Sequence, residues 1–312
     1  MPFEPKTAQC PGAVRAVTIG TGKRACTVGG RRAYPFYTFD AETACKPGIG
    51  FDLPDTVQDD TPEEEAFFAG CDTLADRARR VTESGIADFL CLHFVSADPG
   101  GENRDAADCV KDAVAVSEAT DLPLAIMGCR NLAKDSEIFS GIAKALKGKN
   151  VLFLSAREED HTDAARVTVT ENGHTLCAET ADDINLAKQL SILLRTDGVP
   201  DEKTVMNIGT ASVGYGYEYM LSTLDRVQDG ALRMCDPDLS APIIAPVSTE
   251  TRPVKESAAT EAEAPEWGPQ EDRVVAMEIT TAAANLVSGA DAVILRHPRA
   301  IRGIRNFISG LL

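Results

Sequence analysis

A glycine-rich turn between an apolar strand and an amphipathic helix is the stretch of this chain best suited to hold a ligand. In TVMNIGTASVGYGYEYMLSTLDRVQDGALRM, Thr204–Met234, Val205, Met206 and Ile208 read as strand, and Gly209, Gly214 and Gly216 as turn. Tyr219, Met220, Leu224, Val227 and Leu232 form the apolar face of the next helix. Residues without a Cβ let backbone N–H groups come close to a ligand, and a helix N-terminus adds partial positive charge. This chemistry is binding rather than bond cleavage. The same glycines also suit a tight strand-to-helix connection, and at this level both readings stand.

The remaining chemistry-bearing residues form no catalytic or metal motif. The four histidines, His93, His161, His174 and His297, make neither H-x-x-H nor H-E-x-x-H. His93 reads as a mid-strand residue, buried and hydrogen-bonded. There is no Ser/His/Asp arrangement and no G-x-x-x-x-G-K-[ST]. The nine cysteines are scattered without a C-x-x-C, so zinc and iron–sulfur spacings are absent. Several lie inside apolar segments, where cysteine acts as a small hydrophobe.

The elements that must position a site alternate strand with helix. Residues 13 to 34 read as a β-hairpin turning at Gly20–Lys23, placed to plug or cap one end of the strand–helix array. Strands are then expected at Tyr34–Phe39, Phe89–Ser96, Leu122–Cys129, Val151–Ala156, His174–Glu179, around Val205–Ile208, Ala241–Thr249 and Asp291–Arg296. Thr61-Pro62-Glu63-Glu64 opens a helix running to Ser84 with a capping box. Asp182 is expected to cap the helix that ends at Gly198. The fifth helix, HTDAARVTVTENG, is rich in β-branched residues that fit a helix poorly. Strands that are apolar throughout, each followed by a helix, imply a parallel sheet. Eight such units imply an α/β fold of the (β/α)8 TIM barrel class, with a hairpin extension over residues 1–33 and the barrel over 34–312. The absence of G-x-G-x-x-G after the first strand argues against a dinucleotide-binding sheet.

A barrel places its ligand site at the C-terminal ends of its strands. Read off the sequence, those ends carry Ser96, Asp98, Gly128, Cys129, Asn131, Ser155, Arg157, Glu179, Asp182, Gly209, Thr210, Gly214, Tyr215, Thr249, Glu250, Arg296 and His297. The connection Glu250–Asp272 is longer than a routine βα loop. It contains the chain's only tryptophan, Trp267, and reads as a lid or docking surface anchored by that ring, or as a solvated acidic excursion.

A net charge of −17 argues against nucleic acid and anionic membrane surfaces as partners. No transmembrane window is expected, the N-terminus lacks a signal pattern, and the chain reads as cytoplasmic.

Several segments in order carry a family resemblance: PLAIMGCRN with the KDSEIF helix, GKNVLFLSA, DDINLAKQLSILL, the GYGYEY loop, PEWG and AVILRHP. From Tyr34 to the C-terminus the chain resembles the small (delta) subunit of the corrinoid iron–sulfur protein of the acetyl-CoA decarbonylase/synthase complex. That resemblance implies a TIM barrel paired with a large corrinoid iron–sulfur subunit, which carries the iron–sulfur cluster. The corrinoid is shared between the two chains. Its cobalt accepts a methyl group from a methyltetrahydropterin through a methyltransferase and passes it to acetyl-CoA synthase. On this resemblance the corrinoid-facing residues are Ser96, Asp98, Gly128, Cys129, Asn131, Gly209, Thr210, Gly214, Tyr215, Gly216 and Thr249, with no catalytic residue and no metal ligand. The sequence departs from the family pattern at Arg130, at Thr210-Ala211-Ser212-Val213 and at Thr251-Arg252-Pro253, all at the expected mouth. A stand-alone pterin-dependent methyltransferase barrel is the alternative, with Asp98, Asn131 and Asn207 at strand ends to hold the pterin ring. A barrel enzyme unrelated to corrinoids is a third class; against it, no lysine lies within a strand to form a Schiff base.

Overall fold

A computed structural model describes residues 9–41 and 45–312. The stretch read for a signal pattern lies largely outside the described residues. The hairpin pairs β1 (Ala16–Ile19) with β2 (Cys26–Gly29), Ala16 facing Gly29 and Ile19 facing Cys26. Eight parallel strands come next: β3 (Gly48–Pro54), β4 (Phe89–His93), β5 (Leu124–Met127), β6 (Leu152–Ala156), β7 (Thr175–Glu179), β8 (Thr204–Asn207), β9 (Ile244–Pro246) and β10 (Ala292–Leu295). They pair in the order β8-β7-β6-β5-β4-β3-β10-β9. A parallel bridge between Met206 and Ile243 joins the two ends of that order into a ring. The expected eight-unit barrel is the observed fold.

The alternation within each strand explains why the strands read as apolar throughout. One set of side chains, including Ile49, Phe51, Leu90, Leu92, Ile126, Phe153 and Leu295, packs outward against the helices. The other set, including Phe89, Cys91, Ala125, Leu152, Val205 and Ile294, packs in the lumen. Val17, Ile19 and Val28 of the hairpin join this lumen cluster. The hairpin is therefore a stopper at one end of the barrel. It is tied down by the Gly20 N–H on the Asn150 carbonyl (2.8 Å) and by the Arg31 guanidinium on Asp291 (2.6 Å).

The first barrel strand is not Tyr34–Phe39. Those residues form turns, with Phe36 at φ +61°. Their rings pack on one another and, through Phe36, on Phe307 of the last helix. The strand is GIGFDLP, whose glycines, aspartate and proline imitate a loop in sequence. Gly50 is required sterically: a Cβ there would stand 2.4 Å from the Phe89 ring.

The helix expected over Thr61–Ser84 is two. Helix α1 (Pro62–Phe67) starts with the Thr61 N–H bonded to the Glu64 carboxylate at 2.8 Å. Helix α2 (Leu74–Ser84) has its own capping box, Thr73 with Asp76, and Gly85 closes it in the left-handed region. Helices α3 (Ala106–Ala119) and α4 (Leu132–Ala145) are next. The β-branched fifth unit resolves into a short α5 (His161–Ala164) and a π-helical turn, Ala165–Thr170. Asp183, not Asp182, caps α6 (Ile184–Thr196), accepting from the N–H groups of Asn185 and Leu186. Helix α7 is Tyr217–Leu232. The expected seventh strand stops at Pro246, and its last residues turn into α8 (Val247–Thr251). The long connection contains α9 (Lys255–Ala258) and a turn at Pro265–Trp267 before α10 (Gln270–Ser288). Arg273 pins it by donating to the carbonyls of Glu256 and Ala259. The last helix is α11 (Pro298–Leu311). Among the described residues no helix is long and apolar enough to cross a membrane.

Candidate functional site

At the C-terminal ends of the strands the lumen lining changes from apolar to polar. Asp52 is two residues from the end of β3, His93 ends β4, Glu179 ends β7, Asn207 ends β8, and Ser248 and Arg296 lie just beyond β9 and β10. Two cavities open there. The larger, about 770 Å³, has Asp52, His93, Asp98, Cys129, Ser248, Thr249 and Arg296 among its walls. The smaller, about 490 Å³, is lined by Glu179, Asp182, Asn207, Gly209 and Thr210 among others. Arg130 and Glu250 meet between them, in an ion pair at 2.5 Å that divides the mouth. Arg130 reaches across from a backbone at φ +67°.

The floor of the larger cavity is a charge-ordered trio. Asp52 accepts the Ser248 hydroxyl at 2.8 Å, and its other oxygen is 3.4 Å from His93 Nδ1. Burial pushes the Asp52 carboxyl up, but His93, Arg296 and Ser248 outweigh it and hold the group below its ordinary value. Behind this floor lies a buried ionic network. Asp60 accepts from Arg77 (2.8 Å) and Arg296 (2.5 Å). Arg252 donates to Glu64 and, at 3.2 Å, to Glu278. Glu278 also accepts the backbone N–H groups of Arg296 (3.2 Å) and His297 (3.1 Å). Burial opposes ionisation of Glu64, yet Arg252 and Arg296 bring its pKa below the ordinary value. For Glu278 burial prevails over Arg252 and the pKa is raised. The network fixes the end of α8 and the start of α11, and so the wall of the larger cavity.

The residues expected at the site divide by place. Asp98, Cys129 and Thr249 line the larger cavity, and Gly209 and Thr210 the smaller. The Thr210 hydroxyl is buried with no partner. The other residues expected to face the corrinoid, Ser96, Gly128, Asn131, Gly214, Tyr215 and Gly216, do not line either cavity. Ser96 is buried and tied to Asp55. Asn131 caps α4 through the Lys134 N–H. Gly128 sits where a Cβ would lie 2.1 Å from Asp135, whose carboxylate takes the Cys129 N–H at 2.8 Å. Gly214 and Gly216 adopt φ of +89° and +80° ahead of α7, and the Tyr215 hydroxyl reaches Glu256 of the long connection. Ser155, Arg157 and Glu179 form one cluster, Glu179 accepting from both of the others.

Sequence reasoning missed Asp52, His93 and Ser248 as site residues. Asp52 was hidden by the misplaced first strand, and Ser248 by the overextended seventh. His93 is not mid-strand; it is the terminal, half-buried residue of β4. The signal was its parity, since Phe89 and Cys91 face the lumen and His93 continues that row.

Cys129 is the one thiol on the larger cavity wall. Burial pushes it up to about 11, with Asp135 adding to the rise against a backbone hydrogen bond from Asn131. It is therefore a thiol, not a thiolate, at neutral pH. Alkylation by iodoacetamide at pH 8 should run roughly tenfold or more slower at Cys129 than at an ordinary thiol, even after allowing for a higher-pKa thiolate's greater nucleophilicity. Peptide mass spectrometry over time, with the exposed Cys235 as the fast reference, reads this out. Equal rates would show Cys129 to be activated.

Residues 16–299 match the family described as CdhD, the CO dehydrogenase/acetyl-CoA synthase delta subunit. The chain belongs to this family. Among its delta-subunit relatives, the acetyl-CoA decarbonylase/synthase complex subunit delta of Archaeoglobus fulgidus is 28% identical over 99% of this chain and 71% of its own length. That of Methanothermobacter thermautotrophicus is 29% identical over 97% and 77%. In three dimensions the delta-subunit barrel is similar to dihydropteroate synthase from Xanthomonas albilineans, with a TM-score of 0.59 and 15% identity, covering 95% of this chain and 98% of that one. This last likeness is one of fold. Of the positions expected to depart from the family pattern, Arg130 falls on the bar between the cavities and Arg252 in the buried ionic network.

Proposed function

We propose that this chain is the small subunit of a corrinoid iron–sulfur protein in an acetyl-CoA decarbonylase/synthase-type system, and that its barrel mouth covers the corrinoid. The observation that carries this reading is the breadth of the mouth. Two cavities of about 770 and 490 Å³ lie side by side, parted by one side-chain pair. A flat macrocycle needs such a broad seat rather than a narrow slot. The residues present fit a ligand with a polar rim. The Thr210 hydroxyl is buried without a partner, and the position of a Cβ on Gly214 meets no atom within 4 Å.

In this reading Gly209, Thr210, Gly214, Tyr215 and Gly216 border one side of the corrinoid, and Asp98, Cys129 and Thr249 the other. Ser96, Gly128 and Asn131 shape the rim from behind. When bound, the corrinoid supplies a cobalt that carries a methyl group. The chain's own residues orient the ring and exclude water from its covered face. The large corrinoid iron–sulfur subunit would hold the cluster, with a methyltetrahydropterin methyltransferase as methyl donor and acetyl-CoA synthase as acceptor, in the cytoplasm.

Co-expression with the candidate large subunit tests the proposal. A one-to-one complex with a corrinoid absorbance spectrum is expected, and neither chain alone should retain the corrinoid as well. A monomer without affinity for that partner, which instead binds methyltetrahydropterin on its own, would replace this reading with a stand-alone methyltransferase.

A further inference from the structure

The floor of the larger cavity contains a group that a merely covering role does not use. His93 ends β4 on the lumen side and its ring lines the cavity. Nδ1 faces Asp52 at 3.4 Å, and Ser248 fixes the other Asp52 oxygen at 2.8 Å. No partner for Nε2 is found among the described residues, and Asp52 Oδ1, the oxygen facing Nδ1, is buried with no hydrogen bond already made. A carboxylate on one ring nitrogen sets the tautomer and turns the other nitrogen toward a ligand.

The surroundings select the ligand's chemistry. Asp59, Asp98 and Glu261 share this cavity with Arg130, Arg252 and Arg296. Each arginine is already held by a carboxylate, Arg130 by Glu250, Arg252 by Glu64 and Arg296 by Asp60. Asp52 lies 3.4 Å from the imidazole, so a carboxylate or phosphate at the ring would meet net negative charge. A neutral polar group does not. A primary carboxamide also satisfies the ring in either protonation state: its NH2 donates to neutral Nε2, and its carbonyl accepts from Nε2–H. Corrinoids carry primary carboxamide arms around the ring.

We propose that His93 is a ligand-contacting residue that takes one carboxamide arm of the corrinoid, with Asp52 and Ser248 as its positioning residues. This rests on the corrinoid-covering reading of the mouth. The arm enters the larger cavity and anchors the macrocycle in one rotation about its own axis.

The test uses the reconstituted heterodimer. Corrinoid release into excess scavenger protein is followed by absorbance for wild type, His93→Ala, His93→Gln and Asp52→Asn. His93→Ala should release corrinoid about tenfold faster. His93→Gln, whose amide both donates and accepts, should stay within about threefold of wild type, and Asp52→Asn should fall between. If His93→Ala does not fold, His93→Met fills the space without a donor and replaces it. A readout without corrinoid is nitrogen NMR of the free chain. In wild type the neutral ring should hold its proton on Nδ1, and Asp52→Asn should shift it toward Nε2. Release from His93→Ala at the wild-type rate would overturn this inference while leaving the covering role intact. A wild-type dimer that retains no corrinoid would overturn both. Nitrogen superhyperfine splitting in the cobalt(II) EPR spectrum, present in wild type and lost in His93→Ala, would make His93 an axial ligand and overturn the carboxamide assignment.

Discussion

Replacing Arg252 with Met destabilises the barrel by about 3–5 kcal/mol, the cost of leaving buried charge without its partner. Arg252 lies between Glu64 and Glu278, whose side chains are 1% and 0% exposed. Met fills similar volume, so the loss is electrostatic rather than a cavity effect. The loss should depend on pH, and its sign is set by Glu278. The pKa of Glu278 is already raised in the folded protein, burial outweighing Arg252, and removing the guanidinium raises it further. A group with a raised folded pKa contributes stability below its unfolded value and loses it as pH rises through the folded value. The deficit of the variant should therefore grow from pH 5 to pH 8. Glu64 adds to the trend: burial opposes its ionisation, Arg252 is the largest of the groups that hold its folded pKa low, so wild type gains stability above the unfolded carboxylate value and the variant does not. Urea unfolding at several pH values measures this. A loss below about 1 kcal/mol, or one that is flat with pH, would mean that water reaches this network.

Truncating Ile19 to Ala costs about 2–5 kcal/mol and lowers one cooperative transition of the whole chain. Ile19 is fully buried and packs in the lumen with Phe89, Leu152 and Ile294. The division into residues 1–33 and 34–312 then describes chain order and not two folding units. Trp267 lies in the long connection between β9 and α10, away from the hairpin's stopper position, and is 37% exposed. Its fluorescence and far-UV circular dichroism should shift to the same lower midpoint. A fluorescence midpoint that stays at the wild-type value while the hairpin melts would show the hairpin to be an independent appendage.

The barrel was legible because seven of its strands are short apolar runs separated by helical periodicity, the signal that burial on both faces leaves in a sequence. The eighth, Gly48–Pro54, was not. Its Gly50 answers a tertiary demand, the Phe89 ring across the strand pair, and its aspartate answers the needs of the mouth. Tyr34–Phe39 has strand-like composition, but those rings serve a surface cluster against α11. The glycine-rich loop was visible from its own residues. The Asp52–His93–Ser248 trio was not, because its members come from three segments of the chain that only the side-by-side pairing of β4, β3, β10 and β9 brings together. Arg252 sat in a stretch that reads as an acidic excursion. Its partners Glu64 and Glu278 are 188 and 26 residues away, beyond any local pattern.

The Arg130–Glu250 pair is 53% and 30% exposed along its side chains. A pair of that kind contributes about 0.2–1 kcal/mol, so in roughly a sixth to two-fifths of molecules the bar stands open at any instant. An object broad enough to span both cavities waits for no rare conformation. It forfeits at most about a sixfold factor in affinity, which a single new hydrogen bond to either freed side chain would offset. The partition is a turnstile: it sets the posture in which a visitor enters and exerts almost no hold on whether it does.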